Sequence, residues 1–204
     1  MTEETEELEL KQRLNLIESM IAEGRRTTES WGWVFVLWGV AYYVAIAWSA
    51  WGNHASLAWN VTMTAAMIIT VGLIAWRAAR GRHKSRPATT LGRSVASVWI
   101  AIGISFIVLL PALGMGGRSN SSLVVAVIGT LLGTANGASS MILKWKLQFA
   151  CAIVWWAMAV VACLGTQRQS FVALLIANFV CQIVFGIYGM IREAQGRPRG
   201  DYHA

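Results

Sequence analysis

The polar side chains with the clearest chemical potential in this 204-residue chain are amides and hydroxyls inside long apolar runs. One group lies in the uncharged run from Ser119 to Leu143, and the other lies in the uncharged run from Gln169 to Ile191. Such groups hydrogen-bond to neighbouring helices, or they replace water around a small neutral solute. An unpaired amide in hydrocarbon is costly, so the amides are expected to find partners inside a helix bundle. The residues concerned are Thr130, Thr134 and Asn136 in the first run and Asn178 and Gln182 in the second.

Three glycines, Gly129, Gly133 and Gly137, recur every fourth residue in the first run. Glycines at this spacing share one face of a helix and let a second helix approach closely. The same lack of side-chain bulk would alternatively open a passage past Asn136 and the two threonine hydroxyls. The first interpretation predicts helix packing, and the second predicts a path for a solute.

The absence of Asp, Glu, Lys, Arg and His from the predicted spans disfavours several classes of function. Proton relays, voltage sensors and many ion sites depend on ionisable residues inside the membrane. His54, His83 and His203 are far apart in the sequence and lie outside the spans, so no haem, metal or other cofactor is expected. Intramembrane proteolysis would need a serine with a histidine, or two aspartates, within the spans. No catalytic residues are predicted, and an enzyme is disfavoured.

The overall composition indicates that these runs cross a lipid bilayer. Residues of the set AVILMFWYC make up 56% of the chain and charged residues only 13%, whereas soluble domains have about 25% charged residues. A helix rises about 1.5 Å per residue through a hydrocarbon layer of about 30 Å, so one crossing takes about 20 residues. We predict six spans, at residues 31–51, 56–76, 95–113, 122–143, 147–165 and 170–191.

Lysine and arginine are distributed unequally between the two sides of these spans. Fifteen fall on the side that carries both termini, and only Arg118 and Arg168 fall on the other. Because cationic loops are retained in the cytoplasm, we predict that both termini are cytoplasmic and that the membrane is the plasma membrane. Residues 192–204 then form a basic cytoplasmic tail.

Residues 1–30 form a distinct acidic element. Residues 1–29 contain eight acidic and four basic side chains, a net charge of −4, in a chain whose total net charge is +7. Leu10, Leu14, Ile17 and Ile21 recur at spacings of four, three and four, which is the rhythm of a coiled-coil seam. We therefore predict a cytoplasmic amphipathic helix. Two and a half heptads are marginal alone in water, so the helix needs a partner.

A basic loop between the second and third spans contains six lysines and arginines and no acidic residue. Anionic lipid headgroups attract such bases by about 1 kcal/mol each, and the loop also has the right charge to receive the acidic helix, in cis or across a dimer. A second copy of the helix or a different protein are the other candidate partners. Nucleic acid is disfavoured because the loop lacks interleaved aromatics. The basic residues are Arg77, Arg80, Arg82, Lys84, Arg86 and Arg93.

The predicted fold is an all-α, polytopic integral membrane protein. It consists of a six-transmembrane-helix bundle over residues 31–191, preceded by the cytoplasmic amphipathic helix. Two functions fit this architecture. The first is a non-enzymatic interaction or regulatory component that docks through its N-terminal helix. The second is a channel or facilitator for a small neutral solute, which would pass through the uncharged polar interior.

Overall fold

The computed structural model describes residues 3–51, 55–80, 90–115 and 120–196, and these residues are almost entirely helical, with no β-strand among them. The last long helix is interrupted by a π-helical turn at Phe179–Val184. The α-helices are α1 (Glu3–Glu29), α2 (Gly32–Trp51), α3 (Ala55–Arg80), α4 (Thr90–Met115), α5 (Ser121–Leu143), α6 (Lys146–Leu164), α7 (Gln167–Asn178) and α8 (Phe185–Gly196).

Six helical segments in the described part of the chain are long and apolar enough to cross a membrane, which confirms the predicted number. They are Gly32–Trp51, Leu57–Arg77, Leu91–Leu113, Ser121–Leu143, Lys146–Leu164 and Gln167–Gln195. Helices α3 and α4 are longer than the predicted second and third spans. Because α3 continues to Arg80 and α4 begins at Thr90, the two ends of the predicted basic loop are helical.

The outer surfaces of these helices are apolar, as a multi-pass helical membrane protein requires. On α4, for example, Ile100, Ile104, Ile107 and Val108 are all more than half exposed. Water would not tolerate a continuous apolar surface of this kind, whereas hydrocarbon solvates it. The apolar residues that dominate the composition therefore also cover the outer surfaces of the helices, as expected for a membrane protein.

Contacts divide the chain into two compact units, and each is discontinuous in sequence. Unit 1 comprises Met1–Thr28 and Ala88–Phe171, and unit 2 comprises Glu29–Pro87 and Val172–Ala204. The centre of unit 1 is the antiparallel hairpin of α5 and α6. Its tight turn passes through Lys144, whose left-handed backbone (φ 49°) brings both its own amide and that of Trp145 onto the Ser140 carbonyl. These bonds satisfy the end of α5 and reverse the chain within two residues.

In unit 2, α2 packs closely against α8. A methyl group placed on Gly32 would lie 2.6 Å from the carbonyl oxygen of Gly186, and one placed on Gly186 would lie 2.7 Å from the carbonyl oxygen of Gly32. The rings of Phe35 and Phe185 meet edge to face beside this contact, with centroids 5.4 Å apart. Only glycine allows the two backbones to come so near, so these positions define the α2–α8 contact.

Side-chain caps fix two helix starts. The Asn120 side chain accepts from the Ser122 amide at 3.1 Å and caps α5. Before α7, Gln169 Oε1 accepts from the Thr166 amide at 2.8 Å, while the Gln169 amide donates to Thr166 Oγ1. This reciprocal pair is a capping box, and it satisfies amides that the helix itself leaves free.

Candidate functional site

Arg25 attaches helix α1 to the α5–α6 hairpin of unit 1. Its Nε donates to the Leu143 carbonyl at 2.9 Å, and its Nη2 donates to the carbonyl of Lys144. Carbonyls at the end of a helix have no partner in their own helix, and a cation there complements the negative end of the helix dipole. The Arg25 guanidinium therefore caps the C-terminal end of α5 and the turn that follows it.

Gly24 completes this attachment, and Thr28 bonds back to Gly24 within α1. A methyl group on Gly24 would lie 2.7 Å from Leu143 Cδ2 and 3.7 Å from Leu91 Cβ, so α1 lies against the end of α5 and the start of α4. Leu143 is fully buried, and the buried Thr28 hydroxyl donates to the Gly24 carbonyl at 3.1 Å. We call Gly24, Arg25 and Thr28, with Leu91, Leu143 and Lys144, the socket.

The apolar stripe of α1, defined as Leu10, Leu14, Ile17 and Ile21, lies N-terminal to the socket. Its first three side chains are 60%, 52% and 51% exposed, respectively, and Ile21, next to the socket, is half-buried. The ion pairs Lys11–Glu7 and Arg13–Glu9 join residues of α1 itself across one turn and are well exposed, so they contribute little to stability. Helix α1 is thus held at one end and leaves its stripe uncovered.

The polar residues of α5 do not share one environment. Asn136 is buried and donates to the Leu132 carbonyl at 2.9 Å, while its Oδ1 atom has no partner among the described residues. Thr130 and Thr134 are exposed, and their hydroxyls donate to carbonyls one turn earlier in α5. The two threonines therefore lie on a different face from the buried amide.

The glycines of α5 face α6. A methyl group on Gly137 would lie 2.8 Å from Trp156 Cη2, and Gly133 contacts the same indole ring. Gly129 faces Met158 and the Trp155 carbonyl, to which an added methyl group would come within 2.9 Å. The space left by the three glycines is thus filled by α6.

The two amides of the sixth span meet α2 in unit 2. Asn178 Nδ2 donates to the Gly39 carbonyl at 3.1 Å, and a methyl group on Gly39 would lie 2.9 Å from Gln182 Cβ. Both amides are buried, and neither Asn178 Oδ1 nor Gln182 Oε1 has a hydrogen-bond partner in the described part of the chain. Gln182 lies inside the π-helical turn and Asn178 immediately precedes it, so the helix is widened where the two amides face α2.

Gln148 is a buried polar residue that the sequence analysis did not single out. It is fully buried, and neither its Nε2 nor its Oε1 has a partner among the described residues. The same is true of the Ser139 hydroxyl on α5. Gln148 lies one turn before Ala152, which faces Gly137 across the hairpin. The seven-residue spacing of Gln148 and Trp155 places both on the buried face of α6. This spacing is the sequence feature from which the burial of Gln148 could have been predicted.

The basic loop lies largely outside the described residues. Among its residues, Arg77 lies over the Trp33 ring, 4.7 Å from the centroid, and Arg93 is exposed on α4. Arg80 ends α3, and the structure leaves its side chain undescribed. The residues outside the described ranges are Arg82, Lys84 and Arg86, together with residues 197–204 of the predicted tail.

The described residues contain no group of three or more His, Cys, Asp or Glu side chains arranged to hold a metal ion. The three cysteines are free thiols, of which Cys163 is exposed and Cys151 and Cys181 are buried. The chain matches no protein-family model, no curated protein and no solved structure.

Proposed function

We propose that this protein is a non-enzymatic membrane component that docks on another protein chain through the stripe of α1. The observation that carries the proposal is the exposure of Leu10, Leu14 and Ile17 on a helix that Arg25 fixes to the α5–α6 hairpin. Uncovered apolar surface at a defined position is typical of an interaction site. The six apolar helices would hold this site at the cytoplasmic face of the membrane.

The charge of α1 favours a protein over a lipid surface as the occupant. Helices that lie on membranes are rich in lysine and arginine, which attract anionic headgroups. Residues 1–29 instead carry a net charge of −4, so a cytoplasmic leaflet would repel them. In this proposal the fifteen lysines and arginines on the side of the termini orient the chain, and the basic loop contacts the headgroups.

Site-specific photo-crosslinking in native membranes tests the docking proposal. A photoreactive residue at position 14 or 17 should crosslink to one protein, whereas the matched positions Gln12 and Ser19, which are exposed on the opposite side of α1, should not. The crosslink should disappear when Leu10→Glu is added, because a buried carboxylate opposes the apolar contact. Equal labelling from all four positions, or labelling of lipid alone, would contradict the proposal.

A facilitator for a small neutral solute is the second candidate function. The observation in its favour is the presence of buried polar atoms in unit 1 that have no hydrogen-bond partner among the described residues, at Asn136, Ser139 and Gln148. A passing solute could bond to such atoms as water does. Liposomes containing the protein should then swell in uncharged solutes, and Asn136→Leu should abolish the flux, while the exposed Thr134→Val should not. Swelling no faster than that of protein-free liposomes would exclude this function.

A further inference from the structure

We infer that the partner of the stripe is a second copy of α1, paired in parallel as a short coiled coil. This inference rests on the proposed docking function and names its partner. The spacing of the stripe places Leu14 and Ile21 at heptad position a, and Leu10 and Ile17 at position d. The uncovered side chains of Leu10, Leu14 and Ile17 in two copies would pack on each other, with the half-buried Ile21 at the socket end of the seam.

The residues that flank the seam have the charges that a parallel pair requires. In this register Arg13 occupies position g and Glu18 the next position e. In a parallel coiled coil the g residue of one helix faces the e residue five positions later on the other. Arg13 of one copy therefore faces Glu18 of the second copy, and the two-fold symmetry repeats this attractive pair. Both residues are exposed in the single chain, and the exposed ion pair of Arg13 with Glu9, one turn earlier, contributes too little to stability to prevent this contact.

The socket limits the extent of the pairing and fits a parallel arrangement. Arg25 of each copy is fixed at its own Leu143 and Lys144, and a parallel pair brings these two fixed ends to the same end of the seam. The next d position after Ile21 is Gly24, which already contacts Leu143, so the seam ends there. The paired segment is then about 17 Å long. Anchoring two copies in one membrane raises their effective concentration, which offsets the short length.

Charge exchange in the full-length protein tests the inference. A Leu10→Cys reporter at a d position, in a Cys163→Ala background, should form a disulfide between two copies in the membrane. Arg13→Glu alone or Glu18→Arg alone turns both attractive pairs into repulsive ones and should lower the disulfide yield about fivefold or more. Co-expression of the two variants restores opposite charges in the mixed pair and should restore the yield. Ser19→Arg, on the exposed opposite side, is the matched control and should leave it unchanged.

The outcomes separate this inference from the proposed function. Restoration in the mixed pair cannot come from damage to either helix, so it would establish pairing between copies. Loss in both single variants without restoration would overturn the parallel pair. Absence of any disulfide between copies, while positions 14 and 17 still crosslink to a different protein, would overturn the inference and leave the docking function standing. Absence of both the disulfide between copies and the crosslink to another protein would contradict both the inference and the proposed docking function.

Discussion

Arg25 joins two helices by donating to the two carbonyls at the end of α5 and its turn. Replacement by alanine leaves those carbonyls without this donor, and we expect Arg25→Ala to weaken the attachment of α1 by about 1–2 kcal/mol. Residues near the socket should then exchange amide hydrogen faster in detergent-solubilised protein. Arg26→Ala is the matched control, because Arg26 carries the same charge one residue later and is exposed. Equal exchange in the two variants would show that Arg25 does not hold α1.

Gln148 offers a second test with a single side chain. Because its buried amide has no partner among the described residues, Gln148→Leu should raise the free energy of unfolding by about 1–3 kcal/mol. Thermal unfolding in detergent measures this change, with Gln167→Leu, at an exposed amide on α7, as the control. A decrease in stability would instead indicate that the amide bonds to a molecule within the hairpin, and it would favour the solute path.

Arg25 and Gln148 also show which contacts of single residues the sequence alone does not predict. The apolar runs and the buried amides Asn136, Asn178 and Gln182 were visible from the sequence. Arg25 was counted only as one cytoplasmic cation, because its partners are carbonyls more than a hundred residues away. Which carbonyl a side chain reaches depends on tertiary packing, and residue type alone does not encode it.

At the scale of elements, the contact of α2 with α8 depends on glycine. Gly32→Ala would place a methyl group 2.6 Å from a backbone oxygen of α8, so the two helices must separate. We expect a loss of about 1–3 kcal/mol in the free energy of unfolding. Gly72→Ala on α3 is the control, since nothing lies within 4 Å of its added methyl group. Similar unfolding temperatures for both variants would contradict the close contact.

Hydropathy predicted the six spans because a bilayer of fixed thickness demands about 20 apolar residues for each crossing. It did not predict the π-helical turn at Phe179–Val184, since an α-helix and a π-helix of this composition are equally apolar. Hydropathy also did not predict that Gly32 contacts Gly186, because composition does not determine which helices pack against each other. The number of elements follows from length and polarity, whereas their contacts follow from side-chain shape.

For the whole molecule, truncation should separate the docking role of α1 from the contribution of the socket to the stability of the fold. Removal of residues 2–20 deletes Leu10, Leu14 and Ile17 but keeps the socket residues, whereas removal of residues 2–26 also deletes Gly24 and Arg25. Both truncations should abolish co-purification of a partner from native membranes. Only the longer one should lower the thermal stability of the remaining chain, by about 1–2 kcal/mol. Equal stability of the two truncations would show that the socket contributes nothing to the fold.

The division of the chain into two units was not predicted. The chain passes from one unit to the other at three points: after Thr28, at the end of the acidic element, after Pro87, in the basic loop, and after Phe171, inside α7. The first two points coincide with changes in charge along the sequence, but nothing in the sequence indicates that residues 1–28 join residues 88–171 in one unit, and no change in composition marks the third point. The orientation of the termini remains a prediction from the distribution of lysine and arginine.

The position of Arg25 near one end of a long rigid helix makes α1 a lever with its pivot at the α5–α6 turn. Leu10 lies about 22 Å along the helix axis from Arg25. A tilt of about 10° at the pivot would therefore move Leu10 sideways by about 4 Å, which approaches the width of one side chain. A tilt too small to alter the packing of the hairpin would thus become a larger displacement of Leu10. Conversely, a partner that binds at Leu10 would exert a torque on the hairpin that is larger by the same lever ratio.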